Sequence, residues 1–96
     1  MAQRPATDPH QTYLVENYHP GLGTGELRQI VSRVRDAVAE MNQDGKAIRY
    51  MRSIVVPVDE SFLCVIEAPS EELAREAYAR AGIPFERISP ALLEEG

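Results

Sequence analysis

Residues 62–66 in the middle of the chain, Phe-Leu-Cys-Val-Ile, are apolar at every position. Because successive side chains of a β-strand point to opposite faces, a strand here must be buried on both sides. The helices of a 96-residue chain can cover only one face of a small sheet. The run therefore predicts a central strand whose second face is covered from outside, and a symmetry-related sheet is the simplest candidate.

Apolar periodicity and turn signals predict six elements around this strand, in the order strand, helix, strand, strand, helix, strand. This order is the ferredoxin-like, or split βαβ, pattern of the α+β class, with an antiparallel sheet in the strand order 4-1-3-2 and both helices on one face. We expect one domain over residues 12–93, preceded by a mobile arm over residues 1–11. Thr24 and Ser70 are the predicted helix N-caps, and the predicted strands cover residues 13–18, 47–56, 62–67 and 85–89.

Composition excludes several classes of function. A net charge of -5 argues against a nucleic-acid partner, whose phosphates require clustered Lys and Arg. No run approaches the roughly 20 apolar residues of a membrane span, and the N-terminus lacks the apolar core of an export signal. A single cysteine excludes a disulfide within one chain and fits a reducing cytoplasm.

Four polar residues on the strands form a candidate small-molecule cleft. Alternation directs Cys64 and Glu67 to opposite faces, so they cannot share a ligand within one subunit. Glu16 and Glu67 can approach one another if both lie on the helix-free face, and Tyr50 and Arg52 share the same parity on the second strand. The two carboxylates could act as a general acid and base with separated pKa values, or they could be ion-paired to Arg52 or to a partner chain.

His10, His19 and Cys64 are the candidate metal ligands. Neutral imidazole suits nickel and zinc, and two histidines from each of two subunits would supply four nitrogen ligands if one arm crosses to the other subunit. The alternative is that His10 lies on a solvated arm and His19 is an ordinary loop residue before Pro20. Cys64 could be a ligand, or it could be a small buried hydrophobe.

The segments YLVENYHPG, IRYMRSIVVPVDESFLCVIEAPSEE and RAGIPFERI resemble a family of small ferredoxin-like proteins known as a domain of unknown function. One member of that family is described as a nickel-binding protein, and the resemblance covers about residues 12–89. Asn17 departs from the arginine that is usual in the family. Phe62 occupies a position where many relatives carry a second cysteine, so a paired-thiolate nickel site within one strand is excluded.

The resemblance implies a homodimer and makes nickel or another divalent metal a possible ligand. The function predicted first is thus a non-enzymatic, cytoplasmic homodimer that packs through the helix-free sheet faces and binds nickel. The alternatives are an enzyme of the dimeric α+β barrel kind, with its cleft at the helix-free face, and an interaction module without a ligand.

Overall fold

The computed structural model describes residues 10–94, and the predicted order of elements is confirmed over this range. Residues 1–9 of the predicted arm lie outside the described residues, and the first strand begins one residue before the predicted domain boundary. A 3-10 turn, Pro57–Asp59, connects the second and third strands. The elements are β1 (Gln11–Tyr18), α1 (Thr24–Gln43), β2 (Arg49–Val56), β3 (Ser61–Ala68), α2 (Glu71–Ala81) and β4 (Arg87–Ala91).

The four strands form one antiparallel sheet in the order β2-β3-β1-β4, which confirms the predicted topology. β3 lies between β1 and β2, so it has hydrogen-bonded neighbours on both sides. One face of the sheet packs against the helices and forms the core with them. The strand residues in this core include Tyr13, Val15, Phe62, Cys64 and Ile66, and the helix residues include Leu27, Val31, Val34, Val38, Met41, Ala74, Ala77 and Tyr78.

The helix ends follow the sequence signals, with one correction. Thr24 is the first residue of α1 and not its cap, because Gly23 holds the cap position and its N–H donates to the Glu26 carboxylate at 2.9 Å. Gly82 ends α2 in the left-handed conformation, with φ of 71°. No helix within residues 10–94 has both the length and the apolar character that crossing a membrane requires.

Gly82→Ala should lower the free energy of unfolding by about 1 kcal/mol, because a β-carbon is disfavoured in the left-handed region. Urea denaturation followed by circular dichroism measures this change. The matched control is Gly25→Ala, which adds a β-carbon within α1 where no atom lies within 4 Å. We expect that variant to be unchanged or more stable, and an equal loss in both variants would contradict the conformational argument.

Candidate functional site

The helix-free face of the sheet has an apolar centre. Residues that lie directly opposite one another share a face, so the register aligns Ile54 with Leu63 and Val65 with Leu14 across three strands. Ile54 is 52% exposed, and Tyr18 at the end of β1 is 50% exposed. Both faces of β3 are therefore apolar, and only one of them is covered by helices.

The two carboxylates of the predicted cleft lie on this face but do not approach one another. Glu16 is opposite Leu63, whereas Glu67 is opposite Thr12, which lies four positions before Glu16 on β1. At about 3.3 Å per residue, this offset separates the backbone positions of the two glutamates by about 13 Å along the strands. Each carboxylate has its own arginine: Glu16 contacts Arg87 at 2.7 Å, and Glu67 contacts Arg49 at 3.2 Å. The expected convergence is therefore wrong, and so is the choice of Arg52 as their counter-ion.

A β-bulge separates the other two residues of the predicted cleft. Tyr50 is opposite Ile66, and Arg52 is opposite Val65, so the register skips Met51. The extra residue turns Tyr50 toward the helices and leaves Arg52 on the helix-free side of the edge strand. The prediction that Tyr50 and Arg52 share a parity is therefore wrong.

Tyr50 instead begins a chain of hydrogen bonds that runs into the core. Its hydroxyl contacts the Ser53 hydroxyl, and Ser53 Oγ lies 2.9 Å from Cys64 Sγ. The Tyr78 hydroxyl also bonds the Cys64 sulfur, and Asn17 Nδ2 donates to Tyr78 Oη at 3.0 Å. The sequence reasoning missed this chain, although the helical spacing correctly assigned Tyr78 to the buried stripe of α2.

The donors can be assigned at the Asn17 end of this chain. The amide nitrogen of Asn17 cannot accept a hydrogen bond, so the Tyr78 hydroxyl donates to Cys64. The contacts of Ser53 Oγ with Cys64 Sγ and with Tyr50 Oη can each be donated from either atom. Tyr50 is the half-buried end of the chain that reaches the surface.

Cys64 is fully buried, and burial raises the pKa of its thiol despite the bonds from Ser53 and the two tyrosines. Burial likewise raises the pKa of Tyr50. The thiolate, which is the form that binds metals and attacks electrophiles, is therefore disfavoured. In this environment Cys64 serves as a neutral hydrogen-bonding residue of the core.

The candidate metal ligands lie in separate places. His10 precedes β1 and His19 follows it, so about 30 Å of extended strand separates them. The His19 ring stacks on Phe62 with centroids 5.5 Å apart, and its Nε2 is buried without a hydrogen-bond partner among residues 10–94. Within residues 10–94 no three side chains of His, Cys, Asp or Glu come together as a metal site.

Glu86, which the sequence reasoning did not single out, is an acidic residue whose charge acts on His19. Burial lowers the pKa of His19, and the charge of Glu86 opposes this effect. Glu86 lies in the connection before β4, where its backbone N–H donates to the Glu16 carbonyl at 2.8 Å. Glu86 thus acts on His19 through its charge, although the two residues are distant in the sequence.

A groove of about 600 Å³ lies between α1 and the open edge of β2. Tyr50 and Ser53 from the interior chain form part of its wall. Its other lining residues are Gly25, Arg28, Gln29, Val31, Ser32, Arg35, Arg52 and Val55.

Comparison with known proteins places the chain in a family. Residues 13–90 match the sequence profile of the family described as nickel responsive protein SCO4226-like. The fold is similar to that in the crystal structure of SCO4226 from Streptomyces coelicolor A3(2), with a TM-score of 0.67 and 16% identity, over 88% of this chain and 99% of that one. No curated protein matches the sequence. Because the family profile spans most of the domain, the chain belongs to the SCO4226-like family of nickel responsive proteins.

Proposed function

We propose that the protein is a homodimer that binds a divalent metal ion, nickel in the first instance, through His19. The observation that carries this proposal is the buried Nε2 atom of His19, which has no hydrogen-bond partner within the described residues. A buried polar atom without a partner costs free energy, and such atoms persist where a ligand satisfies them. The description of the family as nickel responsive supports the choice of metal.

The donor set fits a divalent ion of this kind. The lowered pKa of His19 keeps its imidazole neutral at physiological pH, and the neutral form is the one that binds metal. Imidazole suits nickel, and the Glu86 carboxylate would add an oxygen ligand and negative charge. When bound, the ion would supply a divalent positive charge that offsets the carboxylate, and His19 and Glu86 would hold it.

Two ligands from one subunit leave coordination positions for water or for a second subunit. We propose that His10 of the partner subunit fills one of them, because two histidines from each of two subunits would supply four nitrogen ligands. Cys64 has no part in this proposed site, since its thiol is neutral and bonded inside the core.

The apolar helix-free face supports the homodimer. Ile54, Leu63, Val65 and Leu14 form its centre, and the ion pairs of Glu16 and Glu67 flank them. An apolar centre with a polar rim is the usual composition of a protein interface. A two-fold axis through this centre would bury the exposed apolar surface of both sheets.

The first prediction concerns nickel binding to His19. His19→Gln should raise the nickel dissociation constant at least about 10-fold, because an essential ligand is lost. Isothermal titration with NiCl₂ alone measures it. Glu86→Gln should also weaken binding, and Glu72→Gln, which removes an exposed carboxylate of α2, is the matched control.

His10→Gln in the same titration tests the arm, and we expect a smaller loss than for His19→Gln. Equal nickel affinity in the wild type and in His19→Gln would contradict the proposed site, whatever the oligomeric state.

A second prediction concerns pH. Burial lowers the pKa of His19 below 6.5, so the unfolded chain takes up this proton at a higher pH than the folded protein does. The contribution of His19 to stability is therefore complete above pH 6.5 and is lost as the pH falls through and below that value. Urea denaturation of metal-free protein at several pH values should show a smaller loss in His19→Gln than in the wild type. The opposite order would be inconsistent with a neutral buried imidazole.

A third prediction concerns the dimer. Replacing Ile54 and Leu63 together by lysine should convert the dimer to a monomer, because four cations per dimer would be buried in an apolar interface. Sedimentation equilibrium at micromolar concentration measures the mass. Val58→Lys, at a position 89% exposed in the turn beyond β2, is the control that should leave the dimer intact. A monomeric wild type would disprove the proposed interface.

A further inference from the structure

The groove between α1 and β2 has an unusual charge for this protein. The whole chain carries a net charge of -5, yet no acidic residue lines the groove and three arginines do. Arg28 and Arg35 come from α1, and Arg52, which the bulge places on the helix-free side of β2, lines the groove from the edge of that strand. The groove therefore concentrates positive charge on an acidic protein.

Four arginines within residues 10–94 form no ion pair, and three of them are the arginines of the groove. Arg35 bonds only the Ser32 hydroxyl, at 2.9 Å, and neither Arg28 nor Arg52 has an ion pair or hydrogen bond within that range. Arg33 is satisfied by the Ala81 carbonyl at 2.8 Å. The remaining basic residues all contact carboxylates: Lys46, Arg49, Arg75, Arg80 and Arg87.

Neutral donors accompany the guanidinium groups. Ser32, Ser53 and Tyr50 also line the groove, and each carries a hydroxyl group. Gly25 adds the positive end of the α1 dipole, since it lies in the first turn. All of these groups favour negative charge, and they lie on rigid elements rather than on loops.

We propose that this groove binds a small organic anion that carries two phosphate or carboxylate groups. Arginine matches both groups through paired N–H donors. Arg28 and Arg35 are seven residues apart, which is about 10 Å along the helix axis, so two separated anionic groups can be held at once. A volume of about 600 Å³ is that of a small-molecule site, and the protein's overall negative charge disfavours a nucleic acid.

The test is isothermal titration of nickel-free protein with fructose 1,6-bisphosphate and, separately, with suberate, each of which carries two anionic groups at opposite ends of the molecule, in buffer of low ionic strength. We expect saturable binding of at least one probe, and acetate, with a single carboxylate, should bind at least about 10-fold more weakly. Which probe binds more tightly distinguishes phosphate from carboxylate as the preferred group. Saturation by neither probe up to 10 mM, or equal binding of acetate, would overturn the proposal.

Arg35→Gln and Arg28→Gln should each raise the dissociation constant at least about 10-fold. Arg75→Gln removes the same charge from an exposed ion pair on α2, so it is the matched control and should have little effect. An equal loss of affinity in Arg75→Gln would mean that anion binding depends only on the net charge of the protein, and it would contradict the proposed site. These results do not depend on nickel binding, which is measured at His19.

Discussion

The burial of β3 on both faces is the constraint on which the rest of the structure depends. β3 pairs with β1 on one side and β2 on the other, and its alternation decides which residues enter the core. Phe62, Cys64 and Ile66 face the helices, while Leu63 and Val65 face away from them. The first set holds the helices on the sheet, and the second leaves an apolar face that a single subunit cannot cover. The topology of the subunit and the argument for a dimer therefore have the same origin.

The fold could be predicted from the sequence because its signals are local. Apolar spacing, glycines at the helix ends and alternation in the strands each involve a few neighbouring residues, and all of them favour the same order of elements. The candidate site depends on register instead. Glu16 and Arg87 pair across 71 positions, and no local pattern indicates that β4 brings this arginine to that carboxylate.

The bulge at Met51 illustrates the same limit within a single strand. Tyr50 and Arg52 share a parity in an ideal strand, and one extra residue places them on opposite faces. Since the sequence around it mixes polar and apolar side chains, either register satisfies the alternation equally well. The bulge decides that Tyr50 meets Ser53 and Cys64, and it thereby creates the polar chain inside the core.

The hydrogen-bonded chain extends from one proposed binding site, the groove, toward the other, His19. It runs from Tyr50 at the groove through Cys64 and Tyr78 to Asn17. The Asn17 amide donates to the carbonyl of Phe62, and the ring of Phe62 stacks on the His19 ring. Burial raises the pKa of each titratable member, so all of them stay neutral at physiological pH. A neutral chain holds its side chains in position but adds no net charge beside the groove. The positive charge of the groove therefore comes from its three arginines and not from this chain.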